Sequence, residues 1–160
     1  MRVDVKELLE GNVERKTLEY EESPELMEGL SFKDLPYVHL TLKKLDRKII
    51  LSFYVKAVVL LECSRCLQLY PQPLEFSYQE VYSEEPFSMI GELTEEDFKF
   101  TIENNVIDVS NSVRENIIIN LPIKPLCNLD CKGLCPVCGE NLNDRDCNCN
   151  PKDIFINLDF

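Results

Sequence analysis

The sequence predicts an α+β protein in which a mainly antiparallel, curled β-sheet carries one principal helix and a C-terminal cysteine-rich module. Three observations point there. Apolar and polar residues alternate over long runs between Val38 and Tyr82, the period of strands with one buried face. One stretch near residues 108–121 repeats its apolar residues every fourth position, the period of a helix. Six of the eight cysteines crowd between Cys127 and Cys149, just past Pro122 and Pro125. The 160 residues therefore divide into a β-rich domain over 1–122 and a cysteine-rich module over 123–160.

The elements follow in order. A weak strand signal covers Thr17 to Glu21. From Val38, the residues Val38, Leu40 and Leu42 alternate with His39, Thr41 and Lys43. A polar turn at Asp46 and Arg47 leads into a run from Lys48 to Glu62, and a hairpin is the simplest connection. That run places Ile49, Leu51, Phe53, Val55, Ala57, Val59 and Leu61 on one face, with Ile50, Val58 and Leu60 partly covering the other. A third strand is predicted from Leu74 to Tyr82, alternating through Leu74, Phe76 and Tyr78 before a register shift at Val81. Another weak signal spans Phe98 to Glu103. The acidic stretch with Glu84, Glu85, Glu92, Glu95, Glu96 and Asp97 reads as a solvated loop or short helix.

Asp108 or Ser110 can cap the helix, and Val109, Val113, Ile117 and Leu121 form its apolar face. Ile118 and Ile119 widen that stripe, and Pro122 ends the element. An apolar stripe of this kind packs on a sheet more often than it docks a partner. In the tail, Ile154, Phe155 and Leu158 are expected to pack back onto the domain.

Composition removes several function classes. With 44% hydrophobic residues and five glycines, the chain is expected to fold. The longest apolar region, Ile49 to Leu61, is interrupted by Ser52 and Lys56 and falls short of the roughly 18 residues a membrane helix needs. The N-terminal MRVDVKELLEG carries charges where a signal peptide needs an apolar segment, so a cytoplasmic location is expected. The net charge of −12 would become about −16 if eight thiolates held two divalent ions. Such a chain is repelled by a phosphate backbone and suits a partner with a basic surface. It is equally compatible with acidity that serves only solubility.

In a reducing cytoplasm, eight cysteines point to metal or redox chemistry rather than disulfides. Bridges between cysteines so close in sequence would also constrain little chain. Cys135-Pro-Val-Cys138-Gly139 is a zinc-knuckle sequence. Its two-residue spacer lets both sulfurs turn toward one ion, and the glycine permits the tight backbone approach after the second ligand. Cys63-Ser-Arg-Cys66 repeats that spacing at the end of the long strand.

Four cysteine pairs can form two tetrahedral sites in three ways. Turn-forming residues between the pairs, Gly139, Asn141, Asn143, Asp144 and Asp146, favour Cys135, Cys138, Cys147 and Cys149 as one compact site. Cys63, Cys66, Cys127 and Cys131 are then the other, which gives the distant CSRC pair a reason to exist. Two zinc ions are the expected cofactors. A closed four-cysteine site has no open position for water or substrate, so it builds structure.

No catalytic apparatus accompanies these sites. The single histidine, His39, is expected on the polar side of its strand, and no phosphate loop or nucleophile motif occurs. The protein is expected to be no enzyme and to take no small-molecule substrate. Arg65, inside the first knuckle, is a candidate phosphate contact. Around the second cluster Lys124, Lys132, Arg145 and Lys152 are matched by Asp130, Glu140, Asp144 and Asp146, so no basic patch forms. Two other classes remain open. CPVCG also suits iron in a rubredoxin-like electron carrier, and a redox or zinc sensor would use Cys147 and Cys149 as its labile pair.

CSRCL at Cys63 to Leu67, then LPIKPLC, CKGLCPVCGENLN and CNC, resembles the large ribosomal RNA subunit accumulation protein (YceD) family. The resemblance runs from the DVKELLEG segment to the last cysteine, in the form of the family that is richest in cysteine. It implies a metal-binding protein without catalytic activity, linked to the synthesis, processing or stability of 23S ribosomal RNA. The implied partner is a large-subunit ribosomal protein or ribosomal RNA, and the charge favours the protein. The tail PKDIFINLDF is acidic and apolar where relatives are expected to be more basic.

Overall fold

The computed structural model describes residues 1–21, 29–84 and 101–150. The elements in order are β1 (Arg2–Asp4), α1 (Lys6–Leu9), β2 (Arg15–Glu21), β3 (Tyr37–Leu45), β4 (Lys48–Glu62), β5 (Leu69–Ser83), β6 (Val106–Asp108) and α2 (Ser110–Ile119). The fold is α+β, as the sequence predicts, and mostly antiparallel. Two compact units emerge. One comprises Met1–Val59 and Pro73–Asn120, and the other takes Leu60–Gln72 and the described residues from Leu121 onward. The hairpin tip bearing Cys63 and Cys66 thus groups with the cysteine-rich segment, whereas the sequence pattern suggests a single division after residue 122.

The first unit is built on a four-stranded sheet in the order β2-β3-β4-β5. Alternation sets its register. Val38 pairs with Val55, Leu40 with Phe53 and Leu42 with Leu51, and all six are buried. A one-residue slip would turn the whole set to solvent, so the apolar face fixes the pairing. Asp46 closes the β3–β4 turn at φ 54°, a left-handed conformation that aspartate tolerates. The sheet is open, with β2 and β5 as its edges, and is not curled as expected.

β5 begins at Leu69, earlier than the expected Leu74, because Pro71 and Pro73 sit on an edge strand where a missing N–H costs no ladder bond. The expected register shift at Val81 does not occur. Val81 is exposed, Tyr82 is buried, and Glu80 takes the intervening inward position. Glu80 is tolerated there because its carboxylate accepts from the Ser112 hydroxyl at 2.6 Å and from the Tyr82 hydroxyl at 3.0 Å. Tyr78 stacks on Phe53 with ring centroids 4.4 Å apart and shares a hydrogen bond with Ser112 at 3.2 Å. Burial pushes both tyrosine hydroxyls well above their ordinary pKa.

α2 buries Val113 and Ile117, with Val109 buried just before it. Each such side chain removed from water contributes about 1.5–3 kcal/mol. Ile118 and Ile119 are exposed, so the stripe does not widen as expected. Val109 is the N-cap, with no side-chain hydrogen bond of its own, while the Asp108 carboxylate accepts from Ser110 N–H at 3.0 Å. The helix ends at Ile119 with Asn120 as its C-cap, so Leu121 lies past its end and not on its apolar face as expected. β1 and β6 form a separate two-stranded sheet that the sequence pattern does not announce. Of the expected strand at Phe98 to Glu103, Thr101 and Glu103 make isolated bridges, Ile102 is buried and donates its N–H to Ser83 O at 2.8 Å, and residues 98–100 lie outside the described residues. So do the acidic residues from Glu85 to Asp97 and the tail with Ile154, Phe155 and Leu158. No helix among the described residues is long and apolar enough to cross a membrane.

Candidate metal centres

The second unit begins at Leu60, in the last residues of β4. Cys63 N–H donates to Gln68 O at 2.9 Å, and Leu67 N–H donates to Cys63 O at 2.9 Å. These bonds wrap the chain around the Cys63 and Cys66 sulfurs. The second knuckle repeats the pattern, with Cys135 N–H on Glu140 O at 2.7 Å and Gly139 N–H on Cys135 O at 2.9 Å. In each the residue after the second cysteine is left-handed, Leu67 at φ 60° and Gly139 at φ 75°.

The structure brings the eight cysteines into two quartets. Cys63, Cys66, Cys127 and Cys131 form one, and Cys135, Cys138, Cys147 and Cys149 the other. Within each quartet all sulfurs lie within 4.8 Å of one another. In the first centre Cys63 and Cys131 are 3.8 Å apart, and Cys66 and Cys127 are 3.6 Å apart. A disulfide needs about 2.05 Å, so these are not bridges. Four thiolates each about 2.3 Å from a central ion would be separated by about 3.8 Å. The donor set therefore fits a tetrahedral divalent metal, and with four protein ligands it leaves no open position for chemistry.

The two centres differ in enclosure. Cys63, Cys66 and Cys131 are buried, and Tyr70, Leu126 and Leu134 pack against them. In the second centre only Cys135 is buried, while Cys138 is exposed and Cys147 and Cys149 are half-buried. Electrostatics separate the sulfurs within each quartet. Burial raises the Cys63 thiol, yet the N–H groups of Cys127, Cys66 and Arg65 outweigh it and draw the pKa down to about 6. N–H groups of Cys138 and Val137 draw Cys135 down to about 6. Burial and the neighbouring sulfurs push Cys127 up to about 12, and the Cys138 sulfur followed by burial pushes Cys149 up to about 12. Four thiolates crowd unfavourably until a cation joins them.

Backbone geometry locks the first centre. Ser64 N–H donates to Pro125 O at 2.8 Å, and Leu134 N–H donates to Arg65 O at 3.2 Å. Gly133, at φ 79°, lies so close that a Cβ would sit 3.0 Å from Arg65 O. Arg65 also ties this loop down. Its Nη1 donates to Leu129 O at 3.2 Å and to Cys131 O at 2.8 Å, which anchors the loop, while the side chain stays exposed. Arg145 pairs with Glu140 at 2.7 Å and Lys132 with Asp146 at 3.6 Å, while Lys152 lies outside the described residues. His39 belongs to the first unit, where its Nδ1 lies 3.3 Å from Glu19 Oε1.

One participant escapes sequence reasoning. Asn143 Nδ2 donates to Cys131 Sγ at 3.3 Å. Burial raises the Cys131 thiol, but that bond, Gly133 N–H and the sulfurs of Cys127 and Cys66 together outweigh it and lower the pKa. The residue is legible as a turn former, whereas its contact with a sulfur of the other quartet depends on the folded loop.

Residues 51–158 match the family described as large ribosomal RNA subunit accumulation protein YceD, a span that holds all eight cysteines. The chain is 27% identical over 127 residues to "Large ribosomal RNA subunit accumulation protein YCED homolog 1, chloroplastic" of Zea mays, covering 62% of this chain and 43% of that protein. Its Arabidopsis thaliana counterpart is 26% identical over 128 residues, covering 64% of this chain and 40% of the relative. An uncharacterized protein of Mycobacterium tuberculosis (strain ATCC 25618 / H37Rv) is 30% identical over 103 residues, covering 64% and 49%. The chain thus spans less than half the length of the curated relatives it matches. No solved structure matches.

Proposed function

The chain belongs to the large ribosomal RNA subunit accumulation protein YceD family, and from that premise we propose that it is a non-catalytic zinc protein of the cytoplasm that supports maturation of the large ribosomal subunit. One observation carries the reading: the family match covers all eight cysteines, and these form two closed quartets with no vacant ligand position. Zinc would hold the loops that carry Cys63, Cys66, Cys127 and Cys131, together with those that carry Cys135, Cys138, Cys147 and Cys149. When bound, it supplies cross-linking and charge neutralisation rather than a reactive centre. The surface so fixed binds a large-subunit protein or the 23S ribosomal RNA. The net charge of −12 favours a protein with a basic face. The commitment of Arg65, Arg145 and Lys132 to partners within the unit weighs against a phosphate grip.

The test is capture of the tagged full chain from its own lysate at physiological salt, with RNA and proteins identified and bound metal measured. A Cys63→Ser/Cys66→Ser bait serves as the control. Recovery of large-subunit RNA or proteins by the zinc-loaded bait, lost with the control, supports the reading. Recovery of reductases with a coloured, iron-loaded bait, or of nothing ribosomal, sinks it.

A further inference from the structure

We infer that Asn143 couples the two metal centres, so that filling the second centre strengthens the hold of the first on its ion. The inference deepens the zinc reading above and rests on both quartets binding a divalent ion.

Asn143 lies in the loop between Cys138 and Cys147, whose ends are ligands of the second centre. Its side chain nevertheless serves the first. Nδ2 donates to Cys131 Sγ at 3.3 Å and to Asn141 Oδ1 at 2.8 Å, while Oδ1 accepts from Lys132 N–H at 2.8 Å. The two ends of an amide are easily confused, and here the Lys132 N–H decides between them. A flipped amide would set two donors against each other, so the NH2 group must face the sulfur. The loop is further pinned by Leu142 N–H on Gly133 O at 2.9 Å, by a bridge between Leu134 and Asn141, and by Asn143 N–H on Asn141 Oδ1 at 3.0 Å.

Only Lys132, Gly133 and Leu134 separate Cys131, a ligand of the first centre, from Cys135, a ligand of the second. One short segment thus carries a ligand of each ion, and the loop closed by the second ion bonds back to it. An N–H donated to a thiolate ligand stabilises its negative charge and fixes its orientation toward the metal. Losing such an outer partner typically costs 10–100-fold in metal affinity. The second ion would tether both ends of the loop between Cys138 and Cys147, adding to the hydrogen bonds that hold Asn143 against Cys131. Without that ion the loop has fewer restraints, and the Asn143 contact weakens. Coupling in binding free energy is reciprocal, so the first ion favours the second by the same factor.

The experiment titrates the reduced, metal-free full chain with zinc against a chromophoric chelator, with the two centres resolved by cadmium-113 NMR of the cadmium-loaded protein. Asn143→Ala should weaken the first centre roughly tenfold and shift its cadmium signal, leaving the second centre's signal in place. Asn143→Asp keeps the acceptor for Lys132 N–H, removes the donor and sets an anion beside the sulfur, so it should weaken the first centre more than alanine does. A merely structural loop residue would show the reverse, with aspartate close to wild type. Cys147→Ser/Cys149→Ser should weaken the first centre by about 10–100-fold, and adding Asn143→Ala to it should cost nothing further. The coupling is overturned if Asn143→Ala leaves the first centre's affinity unchanged, if aspartate matches asparagine, or if the losses add. A wild-type chain that binds no divalent ion at either centre would instead overturn the zinc reading itself.

Discussion

The two knuckles, Cys63 to Gln68 and Cys135 to Glu140, close with the same pair of backbone hydrogen bonds and present their sulfurs alike. They differ at the one position the turn makes costly. The second knuckle places glycine there, whereas the first places Leu67, left-handed and with 56% of its surface exposed. A leucine in that conformation costs about 1–2 kcal/mol relative to its preferred backbone, and little burial offsets it. What differs is the support. The first knuckle ends a 15-residue strand and is tied down through Ser64, Arg65 and Gly133. The second sits in a loop held by its own quartet and by local bonds such as Leu142 N–H on Gly133 O and Arg145 on Glu140. A knuckle anchored by its surroundings tolerates strain that a self-standing one avoids.

The largest test of that contrast is ligand removal. Cys63→Ser should release one ion and lower the thermal stability of the unit strongly, because three of its quartet's four cysteines are buried and only Cys127 is exposed. Cys135→Ser should release one ion with a smaller loss of stability, leaving the first centre filled at saturating zinc. Metal content by mass spectrometry and a thermal melt read both, and simultaneous loss of both ions from Cys135→Ser would break the two-quartet grouping. Next come the glycines. Gly133→Ala combines a left-handed backbone with a Cβ pressed against Arg65 O, and should cost about 2–3 kcal/mol. Gly139→Ala meets nothing within 4 Å and should cost about 1 kcal/mol, from the backbone alone. Equal losses in denaturant would mean that the Arg65 contact constrains nothing.

These differences also mark what the sequence makes legible. The strands at Val38 and Lys48 are plain because one face is buried and the side-chain period is two. The cysteine grouping follows from two-residue spacers and the turn formers between Gly139 and Asp146. The early start of β5 is hidden by Pro71 and Pro73, which speak against a strand until its place at the sheet edge is known. Glu80 looks like a break in alternation because its partners, Ser112 and Tyr82, are supplied by folding. β1 and β6, at three residues each, are too short to show a period. The contacts of Arg65 and Asn143 join segments far apart in sequence or in different quartets, and residue type alone does not give them.

A gentler substitution asks whether the strain at Leu67 is real. Leu67→Gly should stabilise the loaded protein by about 0.5–1 kcal/mol, since relief of the left-handed backbone exceeds the added freedom of the unfolded chain. A loss of stability in denaturant would show that the leucine side chain holds the knuckle.

Acid offers the finest comparison. Both centres contain a sulfur drawn down to about 6, Cys63 or Cys135, and one pushed up to about 12, Cys127 or Cys149. Metal binds only the thiolates, so protons compete: retention is complete at higher pH and falls as pH drops. A lowered thiol contributes above its folded pKa and ceases to do so as pH falls through it, so Cys63 and Cys135 resist protonation longest in the metal-free state. With their extremes matched, the two centres should release zinc at midpoints close together as pH falls, and the more exposed second centre should let go first. Stepwise dialysis with cadmium-113 signals as the readout gives the order. Release of the buried centre first would mean that enclosure does not protect its thiolates, and the contrast between an anchored and a self-standing knuckle would have to be drawn the other way.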